Sequence, residues 1–247
     1  MNRSHPSARS IALTVFLLAA TPVAAGEAPL PDPDRFPVVL GSFSTTLIGS
    51  MPERTQNVRL AARALDAVEL APGEVLSFNQ QVGARTLERG YLPAPVILRE
   101  VRQVQNGGGV CQVSSTLFVA GLLAGLTPVE RWRHTAPVDY IALGEDATIA
   151  WGAKDLRMRN DLEQTVRVRA DVLGSTLTVR IEGESELIDR FDLETIEVES
   201  TPGSPTAGRE IELYRVKKRD DETLDRELVH RDRYPPWQGP APERAGR

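Results

Sequence analysis

The chain has 247 residues, with 29 lysines and arginines against 34 aspartates and glutamates, a formal net charge of −5 and a single cysteine. An apolar fraction of 41% beside 26% charged residues excludes general disorder, and the acidic balance excludes nucleic acid as the expected partner. With one cysteine there is no internal disulfide and no CxxC pair, and the chain has neither HExxH nor paired histidines, so no metal site is expected. GxGxxG and GxxxxGK[ST] are also absent, and no cofactor is expected.

Residues 1–25 read as a secretory signal peptide. Arg3 and Arg9 form a basic start, Ile11 to Ala20 an apolar run, and Val23-Ala24-Ala25 a small-residue cleavage site. The apolar run is shorter than the roughly 20 residues a spanning helix needs, and no lipid-attachment cysteine follows the cleavage point. The expectation is a soluble protein exported to the periplasm or cell envelope, with no stable membrane anchor after cleavage. Cleavage leaves 27 basic against 34 acidic side chains. Residues 26–37 carry four prolines and three acids and read as an extended linker.

The domain is expected over residues 38–190. Val38 to Phe43 reads as a strand, and Arg54 to Leu70 as a helix with Val58, Leu60, Ala61, Ala64, Leu65 and Val68 at near-helical spacing, stopped by Pro72-Gly73. Glu74 to Phe78 and Val96 to Arg99 read as strands, separated by a polar loop from Asn79 to Pro95. A second helix starts after Gly107-Gly108-Gly109 and runs to about Leu126. Short strands are expected at Val129 to Trp132, Val138 to Ala142 and Ala147 to Trp151, with a turn at Leu143 to Asp146. Gln164 to Asp171 and Thr176 to Glu182 alternate as a hairpin around Leu173-Gly174-Ser175. A β-rich extension over 191–236 holds alternating segments at Thr195 to Val198, Glu210 to Arg215 and Glu227 to His230, around a Pro/Gly-rich break at Thr201 to Gly208. The proline-rich end from Tyr234 reads as loose, with 237–247 a flexible tail. The fold class is α+β: two principal helices on a mostly antiparallel sheet, plus the extension.

The chemistry concentrates at Cys111. An exported, unpaired thiol meets oxidants, so it is either buried and inert or kept for a purpose. Three glycines free the backbone for close approach of a substrate, and a thiol at a helix N-terminus gains thiolate character from the peptide dipoles. The amides there can also form an oxyanion hole, which makes Gly108, Gly109, Gln112 and Ser114 candidates for contact with the reacting group. The bland alternative makes Cys111 a small hydrophobe at the first turn of a buried helix. The mature chain offers two histidines as base: His134, 23 residues after the thiol, and His230, in a charged segment where a solvated surface role is expected. Asp146 is the first choice to orient the imidazole and Asp139 the second, although either can serve as an ordinary turn aspartate. Arg85, Arg89 and Tyr91 are candidates to meet a substrate carboxylate, with surface solvation as the alternative.

Several blocks, in order, resemble the VanW family: Arg54-Thr-Gln-Asn-Val-Arg-Leu-Ala-Ala62, Pro72-Gly-Glu-Val-Leu-Ser-Phe-Asn79, Gly83-Ala-Arg-Thr86 with Gly90-Tyr91, Gly107-Gly-Gly-Val-Cys-Gln-Val-Ser114, Arg133-His134 and Gly144-Glu-Asp-Ala-Thr148. The family is named for a protein of vancomycin-resistance clusters. The resemblance implies an L,D-transpeptidase that uses a cysteine nucleophile, Cys111, on peptidoglycan stem peptides, with L,D-carboxypeptidase activity when water resolves the thioester. The rival is a non-catalytic envelope-binding or accessory protein in which Cys111 is structural, and a single-thiol redox sensor is a third reading. The oligomeric state is not legible in the sequence.

Overall fold

The structure is a computed structural model that describes Met1 and residues 35–98, 101–198 and 208–234. The chain divides into two compact units, Met1–Asp32 and Pro33–Arg247, and every described residue but Met1 lies in the second. The expected signal peptide, nearly all of the linker, residues 201–207 of the Pro/Gly-rich break and the tail past Tyr234 lie outside the described residues. Among the described residues no helix is long and apolar enough to cross a membrane.

Strand β1 (Val38–Thr46) leads to helix α1 (Pro52–Leu65), short strands β2 (Val68–Leu70) and β3 (Val75–Ser77), and the one-turn helix α2 (Phe78–Val82). Strands β4 (Pro93–Leu98) and β5 (Val101–Asn106) form a ribbon that delivers the chain to helix α3 (Val110–Leu123). Then come β6 (Thr127–Glu130), β7 (Arg157–Arg159), β8 (Val166–Leu173), β9 (Thr176–Gly183), β10 (Arg190–Val198), β11 (Arg209–Arg219) and β12 (Glu222–Tyr234). The strands make four antiparallel sheets with orders β1-β9-β8-β2, β3-β7-β6, β4-β5 and β10-β11-β12. An α+β fold with two principal helices and a β-rich C-terminal part is therefore what the chain adopts.

Helix α3 is the centre of the packing. It runs against β1 and β9 on one side and α1, β6 and β10 on others, so it is buried nearly all round. Val113, Leu117, Phe118 and Leu122 are fully enclosed. A helix with no solvent face must satisfy its own polar side chains. Ser115 donates to Cys111 O at 2.8 Å and Thr116 to Gln112 O at 2.7 Å, each one turn back. The hairpin β8/β9 supplies the facing core: Val166, Val168 and Ala170 alternate inward with Leu177, Val179 and Ile181, as a period of two requires.

Four expectations need correction. The first helix ends at Leu65, not Leu70. Ala67 takes a left-handed turn at φ +64°, and Asp66 accepts from Arg169 Nε (2.8 Å) and Ala170 N (3.1 Å), which turns Val68–Leu70 into a strand paired with β8. The segments Val138–Ala142 and Ala147–Trp151 form no strands, only an isolated bridge between Ala150 and Lys154. Side chains of α3 occupy the backbone groups a ladder would have used: Ser115 Oγ accepts from Ala147 N (2.9 Å) and Ser114 Oγ donates to Ala147 O (2.7 Å). In the expected loop from Asn79 to Pro95 the chain forms α2, a 3-10 turn at Leu87–Arg89 and the start of β4. Finally, Phe36 is not free linker. It is buried between the guanidinium groups of Arg35 and Arg167, 4.9 and 4.7 Å from its ring centre, so the folded body reaches back beyond Val38.

Candidate active site

The entry to α3 explains the three glycines. Gly109 is the N-cap at φ +100°, closed to ordinary side chains. A Cβ on Gly108 would lie 2.5 Å from Ala94 O, because the loop is pressed onto the β4/β5 ribbon. Asn57 of α1 locks this loop in place: its Nδ2 donates to Gly108 O (3.0 Å) and Leu92 O (2.9 Å), and its Oδ1 accepts from Leu92 N (2.8 Å). Cys111 is thereby held in the first turn of α3, partly open to solvent, with Sγ 3.7 Å from Ile149 O.

His134 and Asp146 converge on that thiol from the irregular segment after β6. His134 Nδ1 is 2.7 Å from Asp146 Oδ2, and the same oxygen accepts from His134 N at 2.5 Å. With Nδ1 committed to the carboxylate, Nε2 is the nitrogen left to face Cys111, a hydrogen-bond partner of the imidazole. Burial pushes the Cys111 thiol up, but the hydrogen bond and charge of His134, the Ile149 backbone and the Arg85 guanidinium outweigh it and bring it below its ordinary value. Burial works to lower His134, yet the bonds to Asp146 and Cys111 raise it to about 9. Burial also opposes ionisation of Asp146, and the His134 hydrogen bond and Arg131 charge overcome this, holding it well below the usual carboxylate range. All three shifts favour a thiolate, imidazolium and carboxylate in a row.

A set of groups that sequence reasoning missed surrounds Asp146. Arg131 reaches it twice, Nε to Asp146 O (2.7 Å) and Nη2 to Oδ1 (3.0 Å), and its Nη1 donates to Asp232 Oδ2 (2.5 Å). Tyr234 donates to Asp146 Oδ1 at 2.7 Å and accepts from Gly144 N at 3.0 Å. His230, expected at the surface, is instead half-buried with Nε2 2.9 Å from Gly144 O, and Tyr234, expected in a loose tail, is 2% exposed. Burial and the Arg131 charge lower His230 to about 4, so it is neutral and no rival for the role of base. The alternating His230-Arg231-Asp232-Arg233-Tyr234 was the available signal, since a period of two puts all three groups on one side of a strand. Asp139 is exposed and lies outside this network.

The remaining candidates separate. Gln112 is buried and turned away from the thiol, donating to Thr45 Oγ1 and Thr46 O, each at 2.9 Å, so it ties α3 to β1. Ser114 is taken up by Cys111 O and Ala147 O. Tyr91 is buried in the core, and Gly108 N donates to Gln105 O at 3.3 Å. For Gln112 and Ser114 the reason is burial: both lie on enclosed positions of α3 and bond the elements packed against it. Arg85 stays at the site. It donates to Asn79 Oδ1 (2.7 Å) and Gly83 O (2.9 Å), lies 5.9 Å from the Trp151 ring centre, and its Nε is buried without a partner. Among the described residues no cluster of His, Cys, Asp and Glu could hold a metal ion.

YoaR of Bacillus subtilis (strain 168) is 42% identical over 142 residues, which cover 58% of this chain and 47% of that protein. Vancomycin B-type resistance protein VanW of Enterococcus faecalis (strain ATCC 700802 / V583) is 32% identical over 117 residues, 45% of this chain and 42% of that one. The chain thus spans less than half the length of each of these relatives, and no solved structure matches it. The family model described as VanW like protein matches residues 53–182, a segment that contains Cys111, His134 and Asp146, and the chain belongs to the VanW family.

Proposed function

We propose that this protein is an exported cysteine acyltransferase of the cell envelope, an L,D-transpeptidase acting on peptidoglycan stem peptides. The observation that carries this reading is the row of Cys111, His134 and Asp146 at the N-terminus of α3, with His134 Nδ1 2.7 Å from Asp146. Family membership and the vancomycin-resistance relative support a role in the cell wall.

The Cys111 thiolate attacks the carbonyl carbon of the third, meso-diaminopimelate residue of a stem. The first-turn amides of α3 face the developing oxyanion, and since Val110 N and Gln112 N already bond Gly107 O and Gly109 O, the Cys111 amide is the natural donor. Collapse breaks the peptide bond: the imidazolium of His134 gives its proton to the departing D-alanine amine, and a thioester remains on Cys111. An acceptor amine then attacks the thioester and yields its proton to His134, and Cys111 leaves as the thiolate. Water in place of the amine gives the L,D-carboxypeptidase product. Arg85, whose charge acts on the thiol and whose Nε is without a partner, is suited to a stem carboxylate.

The test is incubation of the mature protein and Cys111→Ala with disaccharide-tetrapeptide, followed by mass spectrometry of the products. Cross-linked dimers and free D-alanine that require Cys111 are expected. A folded, intact protein that yields neither would overturn the enzyme reading and leave that of a non-catalytic envelope-binding protein.

A further inference from the structure

The matched family segment ends at residue 182, before β10 begins at Arg190, yet β12 reaches into the centre of the site. It does so through a change of phase in the strand. Pairing with β11 runs Arg215↔Glu227 and Tyr214↔Leu228, then slips to Leu213↔His230, so Val229 is an extra residue. Before this bulge β12 is exposed throughout, and after it Asp232 and Tyr234 are buried while Arg231 and Arg233 point outward. A bulge re-aims the side chains that follow it, and here it turns His230, Asp232 and Tyr234 onto the segment Gly144–Asp146.

We infer that Tyr234 and Asp232 are positioning residues for the Cys111 site and that the β10-β11-β12 sheet is a working part of it; this rests on the proposed nucleophilic role of Cys111. The reason lies in how the two oxygens of Asp146 are shared. Oδ2 serves His134, taking both its backbone N–H and Nδ1. Oδ1 is held by Tyr234 Oη at 2.7 Å and Arg131 Nη2 at 3.0 Å. Fixing Oδ1 prevents the carboxylate from rotating, so Oδ2 stays aimed at the imidazole. Asp232 occupies the other end of the Arg131 guanidinium, which keeps that charge divided between two carboxylates. Among the described residues the charged and titratable groups around Asp146 are His134 and Arg131 from the segment after β6, Tyr234 with Asp232 and neutral His230 from β12, Arg133, 5.2 Å from the Tyr234 ring centre, and Tyr140, whose ring meets His134 edge-on at 6.4 Å.

Loss of either support frees the carboxylate, weakens the imidazolium and returns the thiol toward its ordinary behaviour. The experiment compares Tyr234→Phe, Asp232→Asn and a control on the same sheet, Glu227→Gln, whose exposed carboxylate pairs with Arg215. Each folded variant, checked by thermal melting, is assayed for the pH dependence of Cys111 alkylation by iodoacetamide and for transpeptidation. Tyr234→Phe and Asp232→Asn should move the alkylation midpoint upward by about half a pH unit or more and lower kcat about tenfold with little change in KM, as expected for one lost bond to a charged group. Glu227→Gln should match the parent. Profiles of the two folded β12 variants that superimpose on the parent's would overturn the inference and leave β12 a purely structural strand. Because alkylation needs no wall substrate, this outcome is read even if the parent protein fails to act on stem peptides.

Discussion

The N-terminus of α3 and the end of β12 approach the same few ångströms of the molecule by opposite means. At α3 the backbone is unusual: a left-handed N-cap at Gly109 and a glycine pressed against Ala94 O present the thiol. At β12 the backbone is a strand with two bulges, and the approach is made by its side chains, Asp232 to Arg131 and Tyr234 to Asp146. Presenting a thiol at this helix entry requires backbone geometry that only certain residues permit, so it marks the sequence. Supporting a buried carboxylate requires only donors at alternate positions of a strand, and any charged strand looks much the same.

The comparison breaks most completely at the thiol. Cys111→Ala should reduce acyl transfer by about 10⁴-fold or more while the thermal midpoint stays close to the parent's, because the side chain removed is small and partly open. A mutant that retains turnover would remove α3 from the chemistry. Next in size is Asp146→Ala, expected to lower kcat by roughly 10²- to 10⁴-fold in steady-state assays, since it strips His134 of its partner.

Arg131 joins the two regions, and Arg131→Ala leaves Asp146 and Asp232 buried without it. A loss of about 3–5 kcal/mol is expected in urea unfolding, well above the cost of any single exposed pair on the same sheet. Leu117→Ala, fully buried in α3, should cost about 2–5 kcal/mol by the same measurement.

The pH dependence sharpens the comparison further. His134 is raised from an ordinary 6.5 to about 9, so the stability and proton-donating power its protonated form contributes are complete below pH 6.5 and lost as pH rises through about 9. The alkaline limb of kcat should therefore fall near pH 9, and an unshifted limb near 6.5 would show that Asp146 does not hold the imidazolium. At the small end stands the pair Arg226–Glu194, both largely exposed. Glu194→Gln should change stability by less than about 0.5 kcal/mol and leave activity alone.

Much of the site was legible from residue types and spacing, and the limits are physical. Cys111, His134 and Asp146 could be nominated because the chain has one thiol, few histidines and a glycine-rich helix entry. Asp146 could not be separated from Asp139 by spacing; the fold separates them by burying one and exposing the other. Gln112 and Ser114 adjoin the thiol in sequence, but both are buried, and the Gln112 amide nitrogen bonds β1 while the Ser114 hydroxyl bonds the Ala147 backbone. The false strand from Ala147 to Trp151 shows the converse: a strand-like pattern stays irregular where helix side chains take backbone bonds, as at Ala147. The role of β12 was hidden because a one-residue bulge decides which side of the strand faces inward, and alternation alone does not locate the bulge.

The proposed mechanism stands or falls on whether Cys111 carries the acyl group. The most direct test is to quench the mature protein with disaccharide-tetrapeptide in acid during turnover, then measure its intact mass and map the modified peptide. A hydroxylamine-labile adduct with the added mass of the disaccharide-tripeptide less one water is expected on the peptide containing Cys111, and none in Cys111→Ala. Product formation with an unmodified Cys111, or an adduct on any other residue, would contradict it.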